Sequence, residues 1–371
     1  MHTDTNSLIP TPDSVCDVWQ YLCCENRPIV IYGMGNGADK LILRFEKLGI
    51  SYSDIFASDE FVRGQTFHGK RVMRFSEICD KYGDGNFVIV VAFASRFRNM
   101  IDKISDMSEK YDVYIPDMPV VGEEYFDVSF YRKNYDALLS VLDMLSDERS
   151  KKVFAGIVKY KLSGRYGYLS DICDDREQIS RLIGTSDIDS YIDLGAYNGD
   201  TVKEYLDIAK NPKCVIAVEA DKKTYKRLLK YADEEKRTKV RCINAAVWDT
   251  DGVLGFSSSG NRNSSASNAS YEHTDISVNS ITLDGIAKDI NDDADIFIKY
   301  DVEGAEYKAV MGSLDTIKRL RPTLSVSVYH RSEDLFSIPI LLKNICQNYD
   351  FYLRKYNCFP AWEINLIAKP R

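Results

Sequence analysis

The stretch from Ser190 to Thr201 reads SYIDLGAYNGDT. A short apolar strand, Ser190 to Ile192, runs into a turn at Asp193. In that turn Gly195, Ala196 and Gly199 carry little or no side chain. Main-chain N–H groups can therefore approach a ligand closely, and Asp193, Tyr197 and Asn198 border the same turn. A helix-compatible run starts at Thr201. Strand, glycine turn and helix together make the ligand crevice of an open α/β sheet. Read alone, the turn fits any nucleotide.

The sequence beyond it alternates. The patterning predicts strands at 190–194, 214–219, 239–247, 296–302, 323–329, 351–356 and 363–368. It predicts helices at 201–209, 222–234, 306–319 and 334–347. This is the rhythm of a mostly parallel sheet with helices on both faces. No helix separates the last two strands, so an antiparallel hairpin at the sheet edge is expected. The run Ser257 to Ser270 is almost all Ser, Asn, Gly and Ala and reads as a loop or lid.

Charged residues gather where these strands end, the side on which open sheets bind ligands. Glu219 lies 26 residues beyond Asp193. It is placed either for ribose hydroxyls or as a cap on the next helix, with Ala220 and Asp221 beside it. Ala246 and Val247 leave room for a flat ring, on which Trp248 could stack. The fourth strand runs into Lys299, Asp301, Glu303 and Glu306, a cluster costly to bury without partners or a ligand. His330 leaves the fifth strand on the same rim. It reads equally as a general base or as a histidine bonded to backbone.

The chain of 371 residues is long enough for two cores. Hydrophobic residues make up 44% and charged residues 28%, as in an ordinary globular protein. A net charge of −8 without basic blocks argues against nucleic acid. No apolar run is long enough to span a bilayer, and the polar start lacks a secretory pattern, so a cytoplasmic location is expected. Nine scattered cysteines and four histidines show no ligand spacing, and no metal is demanded, although Asp301, Glu303 and Glu306 could host one.

Before residue 120 a smaller α/β unit precedes this sheet. Its strand 29–32 leads into Gly33-x-Gly35-x-x-Ala38 and a helix at 39–48, with Asp59 available as a ribose acid. A helix at 14–24, further strands near 55–57, 87–92 and 112–115, and helices near 76–82 and 96–111 complete it. Pro116, Pro119 and Gly122 break the pattern. The expected division is 1–120 for this Rossmann-like unit, 121–185 for a bridging helical region and 186–371 for the larger domain. The segment 151–168, rich in Tyr, Lys and Arg, reads as a preface whose part 160–168, with loop 257–275, could reach a substrate.

Together, Asp193 to Thr201, Val218 to Asp221, Asn244 to Val247, Ser280 to Asp284, Ile298 to Glu306, Arg321-Pro322 and Tyr329-His330 resemble the FkbM-type S-adenosylmethionine-dependent methyltransferases. The resemblance covers about 140 residues. It implies a seven-stranded methyltransferase fold with a reversed final hairpin. It also implies methyl transfer to a hydroxyl of a sugar, nucleotide-sugar or secondary metabolite, often in polysaccharide pathways. Gly195, Ala196 and Gly199 would line the methionine portion of the cofactor and Glu219 would hold its ribose. Asp221 would lie near the adenosine and Asp301 would face the reacting centre. His330 is the first candidate base and Asp301 the second, with Lys299 orienting an acidic acceptor. The segment 26–115 is loosely similar to the small domain preceding bacterial sugar acyltransferase modules. A nucleotide-sugar site and a structural or homodimerising role stay open for it. An NAD(P)-dependent oxidoreductase using Gly33, or a non-catalytic sensor, are the alternative functions.

Overall fold

Apolar residues alternate along Ile29–Tyr32 and Val88–Val91, and each parity has its own core. Ile29, Ile31, Val88 and Val90 pack with Leu41 and Phe45 of the helix Asn36–Leu48 on one face. Val30, Tyr32, Ile89 and Val91 point to the other face. These strands lie at the centre of a six-stranded sheet in the computed structural model, which describes residues 8–257, 265–267 and 276–371. In order its strands are Thr66–Phe67, Lys70–Met73, Asp54–Phe56, Ile29–Tyr32, Val88–Val91 and Asp112–Tyr114. All neighbours are parallel except the short Thr66–Phe67 edge. The first helix is shorter than the 14–24 expected, spanning Val18–Cys23 behind an Asp17 capping box.

The segment expected to bridge is helical: Val128–Lys133, Tyr135–Met144, Glu148–Ser163 and Gly167–Ser170. Asp147 caps the third of these by accepting from the Ser150 N–H, and Gly164 ends it in the left-handed region. Lysines at 151, 152, 159 and 161 make this helix read as polar, yet Val153, Phe154, Ile157, Val158 and Tyr160 are buried. They belong to one continuous core with Val30 and Ile89 of the first sheet and Ile192, Ile216 and Ile298 of the second. The 151–168 segment is thus mostly a packed layer between two sheets. Lys161 itself is buried, paired with buried Asp117 at 2.5 Å.

The second sheet has seven strands in the order Tyr349–Lys355, Ile364–Pro370, Thr323–Ser327, Ile296–Tyr300, Ser190–Leu194, Cys214–Val218 and Val240–Ile243. Ile364–Pro370 runs antiparallel to both neighbours and the rest are parallel. The expected hairpin is present, with its second strand inserted next to Thr323–Ser327. The strand expected at 239–247 is split. Ala246–Val247 leaves the main sheet and joins a separate four-stranded sheet with Ile276–Ile281, Gly252–Ser257 and Ser265–Ser267. Most of the Ser257–Ser270 lid reading lies outside the described residues.

The two sheets are also stitched through polar contacts. Ser95 and Phe359 exchange backbone hydrogen bonds of 2.8 and 3.0 Å. The Val121 N–H donates to the His330 carbonyl at 2.9 Å, and Ser332 Oγ to the Glu124 carbonyl at 2.6 Å. At the edge strand, Arg354 pairs with Asp147 at 2.6 Å and donates to Ser150 Oγ at 2.7 Å. Ser146 Oγ and Ser150 Oγ accept from the Phe351 and Leu353 N–H groups. Among the described residues no helix is long and apolar enough to cross a membrane.

Breaking one member of a buried ion pair strands the other charge. Lys161→Met should cost about 3–5 kcal/mol of unfolding free energy. The double variant Lys161→Met/Asp117→Asn should recover most of it, as read by urea denaturation of both proteins.

Candidate active site

The strand ends converge on Asp193, Lys299 and Asp301. Asp193 and Lys299 are register partners on adjacent parallel strands. Lys299 Nζ sits 3.4 Å from Asp193 Oδ1 and 3.3 Å from Asp301 Oδ2. Asp193 is fully buried and also accepts from Thr201 Oγ1. Burial pushes the Asp193 carboxyl up and Lys299 pulls it back. Burial lowers Lys299, but Asp193 and Asp301 outweigh it, so the ammonium is held charged. Asp301 loses to burial less than it gains from Lys299, His330 and Ser327, and lies below its usual range. Its Oδ1 accepts from Ser327 Oγ at 2.9 Å.

Gly195 has φ +88°, and a Cβ there would lie 1.9 Å from the Asp301 carbonyl oxygen. Only glycine permits this approach of the turn to the neighbouring strand. Tyr197 follows at φ +48° and its N–H donates to Glu219 Oε2 at 2.9 Å. Glu219 Oε1 accepts from the Asp221 N–H at 2.7 Å. Burial raises Glu219 to about 7 against these backbone bonds. The helix Lys222–Glu234 is capped by Asp221, which accepts from the Lys223 and Thr224 N–H groups. Glu219 therefore does not cap it.

A cavity of about 380 Å³ opens at these strand ends. Of the residues singled out from sequence, Gly195, Tyr197, Thr201, Glu219, Ala220, Ala246, Val247, Lys299 and Asp301 lie on its wall. Asp193, Ala196, Asn198, Gly199, Asp221 and His330 stand behind it. Trp248 is buried away from it, its carbonyl close against Gly312. Asn198 Oδ1, in the turn, is buried with no hydrogen-bond partner among the described residues. The turn and the acid at the end of the adjacent strand fit an adenosine cofactor.

His330 is enclosed, 1% exposed. Its Nδ1 lies 2.9 Å from Glu306 Oε1, an ion-pair contact that is not an aligned hydrogen bond. Nε2 lies 3.4 Å from Glu303 Oε2 and 3.7 Å from Asp301 Oδ1. Burial disfavours the imidazolium, but Glu306, Glu303 and Asp301 outweigh it and raise its pKa to about 10. Asp334, across from Glu306, is pushed up to about 8 by burial and by that like charge. Oxygens of Asp301 and Glu306 and a nitrogen of His330 lie within 4.8 Å of one another, close enough to hold a metal ion. Both Glu306 oxygens, however, already accept the Val302 and Gly304 N–H groups.

The first glycine turn is built differently. A Cβ on Gly33 would lie 2.8 Å from the Phe93 ring, and one on Gly37 would lie 2.2 Å from the Ala92 carbonyl oxygen. Gly35, φ +140°, has open space around it. Ala38 is fully buried in the core and Asp59 is exposed at the start of a single helical turn.

A seven-stranded sheet with a reversed last strand and a glycine turn after its first strand defines a class I methyltransferase fold. Residues 193–354 match the methyltransferase FkbM domain, so this part of the chain is an S-adenosylmethionine-dependent methyltransferase domain of that family. The crystal structure of methyltransferase FkbM from Methylobacillus flagellatus KT superposes with a TM-score of 0.68. It has 16% identity over 99% of this chain and 95% of its own. Both sheets and the helices between them are thus a shared fold. A SAM-dependent methyltransferase from Aquifex aeolicus (TM-score 0.31, 10% identity) overlaps 52% of this chain and 88% of its own. Aeropyrum pernix fibrillarin with natively bound S-adenosyl-L-methionine (TM-score 0.32, 10% identity) overlaps 52% and 74%. No curated protein sequence matches.

Two outcomes follow from this geometry. Gly195→Ala should weaken S-adenosylmethionine binding at least tenfold by calorimetry, because the added methyl pushes the turn off Asp301. A group whose folded pKa is raised contributes stability that is complete below its unfolded value, near 6.5, and lost as pH rises through about 10. The melting-temperature deficit of His330→Gln should therefore be largest near pH 6.5 and shrink steadily towards pH 10.

Proposed function

We propose that the domain methylates a hydroxyl oxygen of a sugar, nucleotide-sugar or related metabolite in polysaccharide or secondary-metabolite biosynthesis. The observation that carries this reading is Asp301, a carboxylate kept ionised on the cavity wall by Lys299. A hydroxyl keeps its proton at neutral pH, so it needs an acceptor for that proton and a fixed direction of approach. S-adenosylmethionine, when bound, supplies a methyl group on a sulfonium whose leaving group is a neutral thioether.

The chain does the rest. The turn at Gly195 and Tyr197 and the acid Glu219 hold the cofactor, Glu219 offering its remaining lone pairs to ribose hydroxyls. Asp301 orients the acceptor hydroxyl and takes its proton as the new bond forms, while Lys299 keeps Asp301 aimed. His330, the first candidate from sequence, already carries a proton up to about pH 10 and stands behind the wall. We assign it to positioning: its charge holds Glu303 and Glu306 and so the loop from Asp301 to Glu306. Packing of Gly33 and Gly37 against Ala92 and Phe93 accounts for much of the first glycine turn and leaves the oxidoreductase alternative without support. The division into 1–120, 121–185 and 186–371 is kept as part of this proposal.

Asp301→Asn should lower turnover to S-adenosylhomocysteine by about 10²- to 10⁴-fold, measured with a panel of sugars and nucleotide-sugars. Cofactor affinity should change much less. Undiminished turnover would remove Asp301 from the proton path.

A further inference from the structure

Among the described residues, the cavity wall takes one side chain from before Arg176, and that is Arg96 of the first sheet's unit. Arg96 follows the strand Val88–Val91 and is held on both sides. Ser95 makes the two-way backbone bridge to Phe359. Phe97 starts the helix Arg98–Lys110, its carbonyl accepting from the Met100 and Ile101 N–H groups. Phe93 anchors the same loop between Tyr32 (ring centroids 4.9 Å apart) and Phe359 (5.8 Å). Gly33 and Gly37 make room for that loop, since a Cβ on either would strike Phe93 or Ala92. The first glycine turn thus serves to seat the loop that delivers Arg96.

The other cations on the cavity wall are already matched within the protein. Arg176 pairs with Glu204 and stacks over the Tyr356 ring at 4.7 Å. Lys299 lies between Asp193 and Asp301. Arg237 holds Asp207. Arg96 alone among the cavity's cations has no ion-pair or hydrogen-bond partner among the described residues, and it is exposed to the cavity mouth. A planar guanidinium carried on an anchored backbone and left unpaired suits a carboxylate or phosphate oxygen pair.

We infer that Arg96 is a specificity-determining residue of the methyl-transfer site and that the acceptor carries an anionic group, which Arg96 binds across the boundary between the two sheets. This rests on the cavity being the acceptor side of the methyltransferase read above. The anion is a carboxylate, as on a uronic acid, or a phosphate, as on a phosphorylated sugar.

The test uses the full chain saturated with S-adenosylhomocysteine. Glucuronate, glucose 6-phosphate and glucose are titrated as probes by ligand-observed NMR. At least one anionic probe should bind more tightly than glucose, and which one binds identifies the anion. Arg96→Ala should weaken that binding about 10- to 100-fold, as expected for a lost hydrogen-bonded charge contact. Arg96→Lys should restore part of it, and glucose binding should not respond. Glucose binding as tightly as both anions, anionic binding indifferent to Arg96→Ala, or no anionic binding at millimolar concentration overturns the inference. Calorimetry with S-adenosylhomocysteine on both proteins separates the two readings. Its failure to bind the parent chain sinks the methyltransferase reading, whereas normal binding with unselective probes sinks only the role of Arg96.

Discussion

A charged lysine cannot be buried at the end of a central strand without partners. Lys299 has two, Asp193 on one side and Asp301 on the other, and the site is arranged around that demand. Because Asp193 and Lys299 are opposite each other in register, the charge pair fixes where both strands stop. The Asp301 N–H then bonds the Leu194 carbonyl at 2.9 Å, which brings the two exits so close that position 195 must be glycine. Glycine turn, ammonium and Asp301 carboxylate are therefore one rigid piece.

Around that piece lies a second set of charges with a different task. Glu306 spends both oxygens on the backbone of the loop it terminates, and His330 neutralises it from behind. Tyr197, Glu303 and Glu363 all have positive φ, between +48° and +55°, and all three are on the cavity wall. Non-glycine residues persist in such conformations only where surrounding contacts hold them, and such strain tends to gather at functional sites. The His330 carbonyl is in turn bonded by Val121, so the same loop is tied to the segment leading in from the first sheet.

The parallel strands were legible because each is a short apolar run ending in a turn, and their charged exits named Glu219, Lys299 and Asp301. The helix Glu148–Ser163 escaped notice because its lysines dilute an apolar face that is buried between two sheets. The small sheet formed by Ala246–Val247 and its partners escaped because it is built largely from polar residues whose pairing is long-range. His330 was visible, but its protonation depends on carboxylates brought in from another strand exit. Arg96 was invisible as a site residue, since a backbone bridge to Phe359, distant in sequence, is what puts it there.

The edge strand Tyr349–Lys355 bears on how such a protein could be recombined. Its Arg354 and its inner N–H groups are satisfied by Ser146, Asp147 and Ser150, and the Asp174 N–H bonds the Lys355 carbonyl at 2.8 Å. A cassette beginning near residue 186 would include all seven strands and the whole glycine turn after the first of them. It would also leave a cation, two main-chain donors and a main-chain carbonyl facing an empty groove. The portable unit is longer than the catalytic one, and grafting this chemistry onto another partner domain means carrying the helices before it as well.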